Sequence, residues 1–235
     1  AVNPLSGVTC LSWNKKALHV LASSTESGTT NIWDLRQKRA VISFQPSNRQ
    51  QLRVTTLSWN PDATVQLAVG YSQSPVAEIW DLRQSMTPKT KLEGPNSQTL
   101  GYLSLDWSRH DTSLLLSSGE DGRSAIFCWE PFAGSVLCEY PSPQQNSMYF
   151  DVKWHPHIPG IATTASYEGQ VVFVITGGVC DSRTARVGHA HNMRYTLAGL
   201  ICLCHTGPNH VPAWASRPTG ASFGWVGWGG GIVVF

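Results

Sequence analysis

Charge is scarce in this chain. Only 14% of its residues are Asp, Glu, Lys or Arg, and 17 basic against 15 acidic residues leave a formal net charge of +2. There is no basic block, which argues against nucleic acid as the main partner, because phosphate binding needs clustered Lys and Arg. No apolar run reaches the roughly 18 residues of a transmembrane helix, and the longest candidate, 197–204, is far too short. No direct membrane insertion is expected. Residues 1–7 hold no basic segment followed by an apolar run, so no signal peptide is read there. The first residue is Ala1 and not Met, which raises the expectation that a beginning is missing. The six cysteines lack framework spacing and are read as reduced thiols of a cytosolic protein, and no Asn-x-Ser/Thr acceptor occurs. No serine-nucleophile or His-Glu-x-x-His motif is recognised, and Asp and Glu lie scattered on turns, so no enzyme and no catalytic residue is expected.

What the chain does have is tryptophan, ten residues of it, in a repeating setting. Residues 29–36 read Thr-Thr-Asn-Ile-Trp-Asp-Leu-Arg, and 76–83 read Val-Ala-Glu-Ile-Trp-Asp-Leu-Arg. Upstream of each lies a second landmark: Val-Thr-Cys-Leu-Ser-Trp-Asn at 8–14 and Val-Thr-Thr-Leu-Ser-Trp-Asn at 54–60. Looser versions at 102–108 and 150–155 extend the series, so Trp13, Trp59, Trp107 and Trp154 recur at steps of 46, 48 and 47 residues. That period fits WD-repeat propeller blades, whose unit is about 40–45 residues plus loop insertions. The expected fold is all-β, a WD-repeat β-propeller with about four blades of a seven-bladed ring present. Part of a ring should leave strand edges near Val8 and Val171 unpaired.

Short alternating runs separated by Gly, Pro, Asn and Asp predict four antiparallel strands in each of the first three units and three in the fourth. They fall at 8–13, 20–24, 29–35 and 39–44, then at 54–59, 65–71, 76–82 and 89–92. The third unit gives 102–107, 113–118, 124–129 and 135–140, with Trp129-Glu130 where the earlier units have Trp-Asp. Its turn, Gly-Glu-Asp-Gly at 119–122, suits a hairpin. The fourth unit gives 148–154, 161–166 and 170–175, a turn at Glu168-Gly169, and Phe173 near the Trp-Asp position. The pattern divides the chain into a partial propeller at 1–178, a disordered linker at 179–210, and a strand or hairpin segment at 211–235 with a Gly-rich turn at 229–231.

The repeats and the tail together resemble one family. Val-Thr-Cys-Leu-Ser-Trp-Asn-Lys, then Leu-Ala-Ser-Ser, then Ile-Trp-Asp-Leu-Arg is similar to a middle blade of the N-terminal propeller in the large outer-coat subunit of the COPII coat, the Sec thirty-one family. Leu-Leu-Leu-Ser-Ser-Gly-Glu-Asp-Gly and Phe-Asp-Val-Lys-Trp-His-Pro resemble its later blades. The most specific likeness is at 212–224, Pro-Ala-Trp-Ala-Ser-Arg-Pro-Thr-Gly-Ala-Ser-Phe-Gly. It resembles the family's Pro-Lys-Trp-x-x-Arg-Pro-x-Gly-Ala-Ser-Phe-x-Phe-Gly-Gly segment. The likeness covers most of 8–175 and 211–235 but not 179–210, and Trp-Val-Gly-Trp at 225–228 departs from it.

The resemblance implies a scaffold of the COPII outer layer in transport from the endoplasmic reticulum to the Golgi. It implies a location in the cytoplasm, on coated vesicles and on the cytosolic face of the endoplasmic reticulum. Three further blades would precede the four seen here. The implied partners are other copies of the subunit at cage vertices and a smaller WD-repeat subunit of the Sec thirteen type. The tail would complete the smaller subunit's propeller through Trp214, Arg217, Pro218, Gly220, Ala221 and Phe223. The alternative is a generic WD-repeat interaction adaptor, which has no reason to carry that tail.

Other residue patterns have plainer readings. Trp33-Asp34 and Trp80-Asp81 suit blade packing and turn hydrogen bonds better than recognition. His189, His191, Cys202, Cys204, His205 and His210 contain zinc-binding atoms but not the usual zinc spacings. Gly229–Gly231 lacks the Gly-Lys-Ser/Thr of a phosphate loop. No cofactor or metal is therefore expected. His155 and His157 flank Pro156 in a surface turn.

Overall fold

The computed structural model describes residues 6–48, 51–84, 87–94, 100–119, 126–140, 148–167 and 170–175, and the strand segments 203–205, 224–225 and 232–233. The first unit forms β1 (Val8–Trp13), β2 (Val20–Thr25), β3 (Thr30–Asp34) and β4 (Arg39–Phe44), and the second β5 (Val54–Trp59), β6 (Gln66–Tyr71), β7 (Val76–Asp81) and β8 (Thr90–Glu93). The third comprises β9 (Tyr102–Trp107), β10 (Leu115–Gly119), β11 (Ile126–Glu130) and β12 (Ser135–Tyr140). The fourth comprises β13 (Tyr149–Trp154), β14 (Ile161–Ser166), β15 (Gln170–Ile175) and β16 (Leu203–His205). Each set is one four-stranded sheet in chain order, and a separate pair, β17 (Gly224–Trp225) and β18 (Ile232–Val233), forms a two-stranded antiparallel sheet.

The chain is thus all-β and built as propeller blades. The four landmark tryptophans end the first strand of each sheet, as their spacing predicts. All four first strands share a register shift after their first residue, between Val8 and Cys10, Val54 and Thr56, Tyr102 and Ser104, and Tyr149 and Asp151. Such bulges add twist at an equivalent place in each repeat.

Two expectations change. Strand β10 begins at Leu115, not Ser113, because Asp111 takes the local bonds: Leu114 N–H reaches its carbonyl and Ser113 N–H its carboxylate. Phe173 lies near the Trp-Asp position of blade four, as expected, one residue before the tryptophan place itself. The register pairs Leu21 with Trp33, Leu67 with Trp80 and Leu115 with Trp129, and the matching pair is Ala162 with Val174. Finally, β16 lies inside the span read as a linker, and it pairs with β15. The edge expected to be unpaired near Val171 is therefore paired on both sides, to β14 and β16. The turns at 120–122, 168–169 and 229–231, and the remainder of the linker, lie outside the described residues.

Blades stack face to face through apolar side chains. Ala22, Ile32 and Phe44 of blade one meet Leu57, Trp59, Leu67 and Trp80 of blade two. The Phe44 and Trp80 rings stack at 4.4 Å between centroids. Ala77, Ile79 and Leu92 then meet Leu105, Trp107 and Trp129, and Leu116, Ile126 and Cys128 meet Val152, Trp154 and Val174. Burying each large side chain contributes about 1.5–3 kcal/mol, so the seams supply most of the cohesion. Gly28 and Gly134 both sit at such close approaches, each with positive φ and a neighbouring blade's or connection's carbonyl where a Cβ would lie. Gly28 has φ +84°, and a Cβ there would lie 2.6 Å from the Leu52 carbonyl oxygen on the way into blade two.

Candidate functional site

The repeat residues form a hydrogen-bond lattice. Trp33 and Trp129 donate their indole N–H groups to Ser23 Oγ and Ser117 Oγ, each at 2.8 Å. Blade two has Val69 at that register position, so Trp80 turns to Glu78 Oε2 at 3.1 Å. Glu78 is buried and also accepts from Tyr71 OH at 2.8 Å, from Ser47 N–H at 3.2 Å and from the Ser47 hydroxyl. Burial, together with the Glu78 charge, pushes the Tyr71 phenol well above its ordinary range. A cavity of about 240 Å³ opens beside this cluster, between Pro46, Leu52, Pro75 and Lys91. With four donors already on Glu78, its role there is structural.

The aspartates of the Trp-Asp pairs cap turns. Asp34 Oδ1 accepts Arg36 N–H at 2.9 Å, and Asp81 Oδ1 accepts Arg83 N–H at 3.1 Å. Asp81 also takes the Arg83 guanidinium in a two-bond clamp, at 3.0 and 2.6 Å. Those bonds from Arg83 hold the Asp81 carboxyl below its usual range.

First strands couple neighbouring blades. Trp59 donates its indole N–H to Ser12 O at 3.0 Å, and Trp154 donates to Asp106 O at 3.1 Å. Trp13 and Trp107 instead bind their own turns, at Leu18 O and Thr112 O. Side chains do the same for backbone: Thr56 Oγ1 accepts Leu105 N–H, Ser58 Oγ accepts Trp107 N–H, and Asp106 Oδ2 accepts Trp154 N–H. Asp106 also faces Lys15 Nζ of blade one at 3.8 Å. Burial raises the Asp106 carboxyl, opposed by Lys15, and burial lowers the Lys15 amine, opposed by Asp106.

The exposed apolar surface is concentrated on blade one. Leu11 and Trp13 are 63% and 52% exposed, whereas their equivalents Leu57 and Trp59 are 9% and 0% exposed beneath blade one. Among the described residues, nothing covers on blade one the face that packs on a preceding sheet in the other blades. In the tail, Trp214, Arg217, Pro218, Gly220, Ala221 and Phe223 lie outside the described residues, and the pair β17–β18 directly follows them.

Among the described residues, no group of three or more His, Cys, Asp or Glu could hold a metal ion, and no helix is long and apolar enough to cross a membrane. His189, His191, Cys202 and His210 lie outside the described residues. One motif escaped the sequence reading: Gly-Ala-Ser-Phe-Gly at 220–224 has the spacing of a serine nucleophile elbow. An elbow sits between a strand and a following helix. Here the strand β17 begins at Gly224, after the serine, so the order is wrong for one.

Comparison with known proteins decides the relationship. The chain is 33% identical to protein transport protein Sec31A of Gallus gallus over 99% of its length, and 34% identical to Sec31B of Mus musculus over 99%. It is 32% identical to sec31 of Aspergillus oryzae over 94%. The chain is a WD-repeat segment of the Sec31 family. It spans 20%, 19% and 17% of those three Sec31 proteins respectively. No family model matches the chain. Among solved structures, a chain in the crystal structure of the mitotic checkpoint complex superposes with a TM-score of 0.59 at 24% identity, covering 72% of this chain and 48% of that one. That likeness speaks to the fold alone. Sec31 relatives are named as transport proteins, and the Sec31 likeness runs through all four blades.

Proposed function

We propose that this chain serves as a structural component of the COPII outer coat in transport from the endoplasmic reticulum to the Golgi. The observation that carries the reading is identity above 30% with Sec31 transport proteins along nearly the whole chain. The geometry agrees with a scaffold. Buried polar groups are spent on blade seams and turn caps, and the role needs no catalytic centre and no cofactor. The protein would act from the cytosolic face of the endoplasmic reticulum and from coated vesicles, with other copies of itself meeting at cage vertices.

The tail supplies the partner contact. Residues 214–235 would add strands to the open propeller of a smaller WD-repeat coat subunit, the Sec13 type. Backbone bonds at a new sheet edge give affinity, and alternate side chains give specificity. Trp214, Arg217, Pro218, Gly220, Ala221 and Phe223 carry the matching pattern, and β17–β18 is a strand pair separate from the four blades. The test is a pull-down of the smaller subunit with chains ending at Pro208 and at Phe235. Retention by the longer chain alone supports the reading. Equal retention by both would leave the tail as a closing hairpin of this chain's own propeller.

A further inference from the structure

In every blade the side chain that follows the first strand accepts backbone N–H groups of the next turn, two in blades one, two and four and one in blade three, and its chemistry changes once. Asn14 Oδ1 accepts Lys16 N–H at 3.0 Å and Ala17 N–H at 2.8 Å. Asn60 Oδ1 accepts Asp62 N–H at 2.8 Å and Ala63 N–H at 2.9 Å. Ser108 Oγ accepts Asp111 N–H at 3.2 Å. In blade four the same position is His155, whose Nδ1 accepts His157 N–H at 3.1 Å and Ile158 N–H at 2.8 Å. An amide or hydroxyl oxygen keeps its acceptor at any ordinary pH. An imidazole nitrogen does not, because histidine changes charge between about pH 5 and 8.

We propose that His155 makes the first turn of blade four an acid-sensitive latch: the neutral imidazole holds the turn closed, and protonation releases it. To accept through Nδ1 the ring must be neutral with its proton on Nε2. A second proton, placed on Nδ1, turns the acceptor into a donor aimed at two N–H groups. Both bonds are lost together, so the turn is favoured at high pH and opens as pH falls.

The surroundings give the opening a consequence. His155 N–H closes the hairpin onto Ile161 O at 2.8 Å, and its neighbour Trp154 makes both hydrogen bonds to Asp106 of blade three. The latch therefore sits next to the polar seam between blades three and four. The charged and titratable groups around it are His157, with ring centroids 6.2 Å apart, Lys153 and Asp151, paired at 3.1 Å on β13, and Asp106, in the field of Lys15, Lys153 and Arg109.

Amide hydrogen exchange on the intact chain, followed by NMR and corrected for the intrinsic effect of pH, tests this. Between about pH 8 and pH 5, protection at Ile158 should fall roughly tenfold or more, as the loss of two hydrogen bonds implies. Ala17 and Ala63, in the Asn-capped turns, should not change in step. His155→Asn should keep Ile158 protected at both pH values. Unchanged protection at Ile158 in the wild type, or an equal fall in His155→Asn, would overturn the proposal. If that variant does not fold, the nitrogen spectrum of wild-type His155 at about pH 8 decides: a proton on Nε2 supports the latch, and one on Nδ1 rules it out.

Discussion

Asp106 and Trp154 are joined twice. The carboxylate of Asp106 takes the Trp154 backbone N–H at 2.8 Å, and its backbone carbonyl takes the indole N–H at 3.1 Å. A single residue of blade three thus satisfies both donors of the tryptophan that ends the first strand of blade four.

This pair of hydrogen bonds separates charge from acceptor. Asp106→Ala leaves the Trp154 N–H without its acceptor and should destabilise by about 1–3 kcal/mol. Asp106→Asn keeps an acceptor and removes a buried charge, so its effect should stay within about 1 kcal/mol. Burial raises the Asp106 pKa, so the folded state holds this proton more tightly than the unfolded chain does. Its contribution to stability is present below the unfolded carboxyl pKa and is lost as pH rises through the folded one. Urea unfolding across the acid range should give a flatter pH dependence in Asp106→Asn than in the wild type.

Glu78 should prove to be the most sensitive polar residue of blade two. Glu78→Ala strands Tyr71, Trp80 and Ser47 donors and should cost about 2–4 kcal/mol. Val69→Ser restores the acceptor that Ser23 and Ser117 provide in blades one and three. In the Glu78→Ala background it should recover part of the loss by serving Trp80. A double-mutant cycle in denaturant measures the coupling. Strict additivity would deny the exchange of acceptors.

Equivalent tryptophans should not be equally important. Trp107 is 0% exposed and Trp13 is 52% exposed. Trp107→Ala should cost about 3–5 kcal/mol, the range for a fully buried ring. Trp13→Ala should cost much less, because no sheet among the described residues covers its face. Thermal melts of the two variants give the comparison directly.

The tail offers a binding prediction that rests on the proposed partner. Phe223→Ala should weaken capture of the smaller subunit by about 2–4 kcal/mol, as for a buried aromatic anchor. Gly220 should tolerate larger residues poorly if its strand passes close to partner backbone. Titration calorimetry with the chain ending at Phe235 reads both, and an unchanged affinity in Phe223→Ala would remove that residue from the contact.

Much of this protein is written in local pattern. The 46–48 residue recurrence of Trp13, Trp59, Trp107 and Trp154 fixes where each first strand ends. Alternation and turn residues place the strands to within a residue or two, because side-chain period and backbone preference are properties of neighbours in the chain. The aspartates Asp34 and Asp81 cap turns two residues ahead of them, which is again a local matter. Tertiary structure decided the rest. Only strand register identifies Val174 as the stand-in for tryptophan in blade four, since no residue type marks it. Only blade stacking brings Lys15 to Asp106 and Ser47 to Glu78, pairs 91 and 31 residues apart. And only the presence or absence of a covering sheet makes Trp59 core and Trp13 surface, although their sequence settings are nearly the same. The period of a repeat is carried by adjacent residues, but burial and hydrogen-bond acceptors are supplied by whatever packs against them.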